Sequence, residues 1–141
     1  MLTTLELLPG IQVNALNLLE MNQIVTASCH ERGSRIMANH NLHSIYLYYH
    51  DINMRAFYQV ADYVLTDGMG VVLLARLLGV PLRRENRVTY VDWRDRLLNV
   101  AVNSGWRIFY LGSKPGVADR GPELLPGRLA ARQIPTAREL F

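Results

Sequence analysis

The stretch from Tyr63 to Gly79 constrains this chain most. Tyr63-Val64-Leu65-Thr66 is an apolar, β-rich run that stops at Asp67-Gly68, and Gly70 to Leu78 then reads as an apolar helix closed by Gly79. Pro81 forbids its continuation. A strand this apolar belongs inside a sheet, and a helix that follows it so closely belongs on the sheet's face.

The same alternation runs through the rest of the chain. Asn17 can cap a helix over Leu18 to Glu31, with Leu18, Met21, Val25 and Cys29 as its apolar positions and Gly33 as its stop. Arg35 to Ala38 reads as a short strand, Leu42 to Tyr49 as a helix, and Asn53 to Ala61 as a second one. Asp92 to Asn103 reads as a helix stopped by Gly105. Arg107 to Leu111 follows as a strand that leaves through the Gly112-Ser113-Lys114-Pro115-Gly116 turn. The expectation is an α/β protein, a three-layer Rossmann-like parallel sheet with helices on both faces. In such sheets the ligand crevice lies beyond the C-terminal strand ends. That rule selects Asn39 to His43, Asp67 to Gly70, and Gly112 to Gly116.

Composition narrows the class without naming a function. With 141 residues, half of them apolar and 19% charged, the chain suits one domain over residues 1–141 and excludes wholesale disorder. Fifteen basic against twelve acidic residues give a formal charge of +3, a mild excess supplied by arginine except at Lys114. The single cysteine, Cys29, allows no intrachain disulfide and fits a reducing compartment. The opening Met1 to Gly10 has no basic start and does not read as a secretory leader. No run approaches the roughly 20 apolar residues that span a bilayer, since Tyr63 to Leu82 is broken by Asp67 and Arg76.

Several residues invite chemistry, each with a plainer reading beside it. Asp67, before Gly68 and Gly70, is either an ordinary turn-and-cap residue or a carboxylate held at the crevice to take a proton from a hydroxyl. Gly112 to Gly116, with Ser113 and Lys114, is either a simple turn or a diphosphate cradle, and it lacks both the Walker spacing and the dinucleotide fingerprint. Arg83, Arg84 and Arg87 are a solvated charge run or guanidinium groups beside a phosphate. His40 and His43 have no HExxH or paired-carboxylate company, so no metal is expected, and His43 reads as a hydrogen-bonding residue at a helix start. Tyr46, Tyr48, Tyr49 and Tyr58 read as core and rim, and Trp93 and Trp106 as core or interface anchors. A small basic module for nucleic acid or anionic lipid is a weaker option, because no RNA-binding aromatic motif or helix-turn-helix signature is present.

Taken in order, these segments resemble the WecG/TagA/CpsF family of bacterial glycosyltransferases. The resemblance rests on Ile11 to Leu16, Asn39-His40-Asn41-Leu42-His43-Ser44, and Ala61 to Gly70. It continues through Leu77 to Leu82, Arg87 to Asp92, and Gly105 to Ala118. It implies an inverting, metal-independent transferase without a cofactor, moving a sugar from a UDP-sugar to a polyprenyl-diphosphate-linked saccharide in cell-surface polysaccharide synthesis. It also implies work at the cytoplasmic face of the membrane, as a peripheral protein and not a nucleic-acid binder. By position, Asp67 matches the family's catalytic base. Asn39 stands where many relatives carry an assisting Thr, and is kept as a second catalytic candidate. Asn41, His43, Gly68, Gly70 and Arg87 fall to substrate binding, with Gly112, Ser113, Lys114 and Gly116 as the diphosphate loop.

The resemblance covers roughly Ile11 to Arg120, and residues 121–141 diverge from the family pattern. Pro122, Pro126 and Pro135 interrupt the helix and strand expected there. The C-terminal part of the sheet is therefore expected to be incomplete, with marginal stability or self-association into a homo-oligomer as the consequence. The alternative function is an inactive truncated remnant that at most binds nucleotide.

Overall fold

The computed structural model describes residues 3–31 and 33–108. The chain divides after Trp93 into two units, and the elements of the first carry the candidate site. Its elements alternate as an α/β protein, with one parallel pair of strands and one antiparallel hairpin.

The hairpin comes first. Strand β1 (Thr4–Leu8) pairs with β2 (Ile11–Asn14) around Pro9-Gly10, where Gly10 takes a φ of +78° that favours glycine. The sequence reading assigned no element before Asn17, so this hairpin is an addition. Leu7, Ile11 and Val13 are buried, and Glu6 and Gln12 face outward, which is the period-2 pattern of a half-buried ribbon.

Helix α1 (Leu18–His30) begins as its sequence predicts. Asn17 Oδ1 accepts from the N–H groups of Leu19 and Glu20, and the Glu20 carboxylate accepts from the Asn17 N–H at 2.8 Å. Strand β3 (Met37–His40) then starts two residues later than Arg35. The cause lies at Asp62, whose Oδ2 takes the Ile36 N–H at 2.8 Å while the Ile36 carbonyl accepts from the N–H groups of Asp62 and Tyr63. That clamp occupies Ile36 and pushes the regular ladder to Met37.

Helices α2 (Leu42–His50) and α3 (Ile52–Val60) return the chain to β4 (Tyr63–Thr66), which pairs in parallel with β3 in the register Met37–Tyr63 to His40–Thr66. Asp51 caps α3 through Oδ1, one residue ahead of the expected start. Helix α4 (Met69–Leu77) leaves from Gly68, and Gly79 at φ +72° ends it. A 3-10 turn over Arg84–Asn86 precedes Arg87, which forms a parallel bridge with Thr66. Helix α5 (Tyr90–Ser104) follows, longer at both ends than Asp92 to Asn103. Among the described residues the parallel sheet has two strands; a full three-layer sheet is not seen. The strand expected at Arg107 to Leu111 falls outside the described residues beyond Ile108.

Both faces of the parallel pair are covered. Met37, Tyr63 and Leu65 meet Leu16, Met21 and Ile24 of α1 and its approach, together with Val88 and Trp93. Ala38 and Val64 meet Ile45, Tyr48, Tyr58, Val71 and Ala75 from α2, α3 and α4, and Leu7, Ile11 and Val13 from the hairpin. Asn14 joins hairpin to sheet. Its Oδ1 accepts the buried Val64 N–H at 2.7 Å and its Nδ2 donates to Thr4 Oγ1 at 3.0 Å. No described helix is long and apolar enough to cross a membrane. Replacing Asn14 by Ala strands the Val64 N–H, so we expect a loss of about 1–3 kcal/mol in a urea titration, with Asn14→Asp intermediate because it keeps the acceptor.

Candidate functional site at the ends of the parallel strands

The candidate site is built where β3 and β4 end together. Asn39 is exposed on β3, and its Nδ2 donates to Asp67 Oδ2 at 3.2 Å across the strand pair. The Asp67 N–H donates to the His40 carbonyl at 2.8 Å, continuing the ladder one residue past β4. Asp67 is thus held through both backbone and side chain, yet stays half-exposed. Below it, Tyr58 donates its hydroxyl to the Asn39 carbonyl at 2.7 Å. Burial pushes the Tyr58 phenol above its ordinary range, so it remains a donor.

The residue after Asn39 points the other way. His40 is 1% exposed, stacks on Tyr58 with ring centroids 3.8 Å apart, and shares a 3.1 Å hydrogen bond between Nδ1 and Ser44 Oγ. Burial lowers its pKa from 6.5 to about 4, so the ring is neutral at physiological pH. His40 and His43 do not converge. His43 is exposed, with Tyr46 as its ring neighbour, and no group of three His, Cys, Asp or Glu among the described residues could hold a metal.

Asn41 caps α2. Its Oδ1 accepts the Ser44 N–H at 2.8 Å, and the Ser44 hydroxyl closes the capping box on the Asn41 N–H. That role commits Oδ1 and leaves the Nδ2 end of this exposed side chain for a ligand. The two glycines differ in purpose. Gly68 takes φ +84°, begins α4 without a side-chain cap, and has nothing within 4 Å of where a Cβ would stand. At Gly70 a Cβ would lie 2.7 Å from Leu42 Cδ1, so its missing side chain leaves room for Leu42 at the start of α2. Arg87 enters beside the end of β4 through its bridge with Thr66, and its Nη2 contacts Asp92 Oδ2 at 2.6 Å.

A small cleft of about 170 Å³ opens on the Asn39 side of the sheet. Its walls are apolar at Met21, Leu65, Val88 and Trp93, with Asn39, Thr89 and Tyr90 as its polar positions. Sequence reading missed that Thr89 and Trp93 share a cleft with Asn39, because nothing local links α5 to β3. Trp93 is anchored there by its indole N–H, which donates to Asn22 Oδ1 at 3.3 Å. Gly112, Ser113, Lys114 and Gly116 lie outside the described residues.

Residues 5–137 match the glycosyl transferase WecG/TagA/CpsF family. That match spans nearly the whole chain, which therefore belongs to this family of glycosyltransferases, enzymes that pass a sugar from a donor to an acceptor. No curated protein and no solved structure matches the chain.

The neutral His40 also sets a pH dependence. An unfolded histidine binds a proton near pH 6.5, whereas the folded one does so only near pH 4. This contribution is therefore complete above about pH 6.5 and is lost as pH falls toward 4, in total roughly 3 kcal/mol. Urea midpoints measured across that window should fall for the native chain, and His40→Gln should flatten this part of the slope.

Proposed function

We propose that the chain is an inverting transferase that moves a sugar from a UDP-sugar to a polyprenyl-diphosphate-linked saccharide in cell-surface polysaccharide synthesis. The observation that carries the reading is the Asn39–Asp67 hydrogen bond across the C-terminal ends of β3 and β4, where parallel sheets present their ligand sites. Membership of a glycosyltransferase family supplies the reaction class.

In this reading the Asp67 carboxylate accepts the proton of the acceptor hydroxyl. The oxygen attacks the anomeric carbon from the side opposite the diphosphate, and the bond from that carbon to the diphosphate oxygen breaks as UDP leaves. Asn39 holds the carboxylate on its Oδ2, so the other oxygen faces the nucleophile. Asn41 reaches a sugar hydroxyl with Nδ2, and His43, exposed two residues further on, serves as an acceptor contact. Gly68 keeps the backbone open beside Asp67. Arg87 and the segment Gly112 to Gly116, with Ser113 and Lys114, offset charge growing on the departing diphosphate. The cleft beside Asn39 takes an apolar face of the donor against Trp93.

The wider architecture in this proposal is a Rossmann-like sheet with helices on both faces, of which the described parallel pair is one part. The chain acts as one domain, as a peripheral protein at the inner face of the cytoplasmic membrane, with self-association into a homo-oligomer.

UDP at about 100 times its dissociation constant should stabilise the chain by about 2.7 kcal/mol in a thermal-shift titration. Asp67→Asn should cut sugar transfer by a factor of roughly 10² to 10⁴ while leaving that UDP shift largely intact. Retained turnover in Asp67→Asn would remove Asp67 as the base. Binding of UDP with no transfer by the native chain would instead favour a nucleotide-binding protein without activity.

A further inference from the structure

A second, larger cavity lies on the opposite face of β3 from Asn39. It encloses about 460 Å³, within the roughly 300–1,000 Å³ range of small-molecule sites. The hairpin, α3 and the two parallel strands form its walls, with Gln12, Asn14, His40, Tyr58, Gln59 and Asp62 among the lining residues. It does not depend on the reading of Asp67, which is not among them.

The deepest polar group is His40. Of the two acceptors in reach of the Ser44 hydroxyl, the Asn41 carbonyl at 2.9 Å is nearer than His40 Nδ1 at 3.1 Å, and with the hydroxyl hydrogen on that carbonyl the Ser44 oxygen accepts from His40. That bookkeeping puts the ring proton on Nδ1 and leaves Nε2 as an acceptor. Nε2 has no partner among the described residues, and it is not among their sealed, unsatisfied atoms either. The lone pair therefore meets the cavity. An unpaired acceptor on a side chain this buried needs a donor from outside the fold.

The remaining lining defines what that donor belongs to. Gln12 and Gln59 are exposed on the rim and their side-chain amides have no hydrogen-bond partner among the described residues, so each presents an amide donor and an amide acceptor. Asp62 adds a carboxylate whose oxygens are shared with the Ile36 N–H and Arg35. No lysine or arginine lines the space, and the Arg35 guanidinium beside it is paired with Asp62 and Glu31, so a phosphate would meet a carboxylate and no lining cation. The Tyr48 and Tyr58 hydroxyls are spent on the carbonyls of Gly10 and Asn39, and one face of each ring is taken, by Arg55 over Tyr48 and by His40 against Tyr58, so the two rings add aromatic surface to the wall but no free hydroxyl donor. Amides, one carboxylate, a neutral imidazole and aromatic faces match a ring that carries many hydroxyls and no charge.

We propose that this cavity binds a single neutral sugar unit, with a hydroxyl donating to His40 Nε2 and the rim amides of Gln12 and Gln59 holding the neighbouring hydroxyls. The site is separate from the strand-end site, and the two are back to back across β3.

Long-range proton–nitrogen spectra of the full chain, labelled on histidine, read His40 Nε2 directly. Titration with methyl β-glucoside, methyl β-galactoside and N-acetylglucosamine should move that resonance upfield with at least one of the three, and inorganic phosphate should not move it. Ala61→Phe fills the cavity from its wall and should weaken the sugar by about tenfold or more. Asp67→Asn should leave the sugar response unchanged, which separates this site from the transfer reaction. If Ala61→Phe fails to fold, Gln12→Ala, on the exposed rim, carries the same expectation of weakened binding. No response to any of the three sugars overturns the proposal. So does an equal response to phosphate, or a sugar response that survives both cavity variants.

Discussion

The parallel pairing of β3 with β4 brings together residues that the sequence keeps far apart. Asn39 and Asp67 are separated by 28 positions, and only the register that sets His40 opposite Thr66 carries the Asn39 amide to the Asp67 carboxylate. A slip of one residue would turn Asn39 into the core and His40 out to solvent. Three groups outside the ladder hold that register. Asp62 clamps the entrance at Ile36, Asn14 satisfies the Val64 N–H on the far edge of β4, and the Val88 N–H donates to the Thr66 carbonyl at the exit. Each is a side chain or backbone group from elsewhere meeting an edge that two strands alone would leave unpaired.

Much of this architecture was legible where a local signal existed. Tyr63 to Thr66 reads as a strand because four apolar or β-branched residues end at Asp-Gly, and the structure keeps those bounds. Asn17 followed by Glu20 is a capping box that the sequence displays openly, and Gly79 is a helix stop with the positive φ that its position needs. Strand β3 was harder. Asn39 and His40 are polar, so the apolar signal ends at Ala38, and the ladder's extension depends on Tyr58 and Asp67, which no local window contains. The hairpin had a signal in Pro9-Gly10 between two alternating runs. Its burial, though, is decided by α2, whose Tyr48 and Tyr49 hydroxyls bind the carbonyls of Gly10 and Pro9.

The candidate site shows the same division. Asp67 and Gly68 follow from a strand end and a glycine, a rule that needs no coordinates. Gly70 follows the same rule, and Leu42 fills the space its side chain would take, a packing reason that no local window shows. Among the three clustered arginines, Arg83 and Arg84 are exposed, and Arg83 reaches Glu85 only at 3.9 Å. Arg87 alone is drawn to β4, through a backbone bridge that charge patterning cannot reveal. Charge density marked the segment, and strand pairing selected the residue.

Asn39 and His40 are neighbours whose side chains diverge by the ordinary alternation of a strand, and that alternation explains why one strand end serves two surfaces. On one side, Asn39 donates to the half-exposed Asp67 carboxylate. On the other, His40 sits in surroundings that strip its charge and leave a bare acceptor. Tyr58 links the two. It stacks on the His40 ring and donates to the Asn39 carbonyl, so packing on the buried face fixes the backbone from which the exposed face is built. The aromatic packing beneath the strand end thus supports the backbone that carries Asn39, and through the Asn39 amide it reaches Asp67.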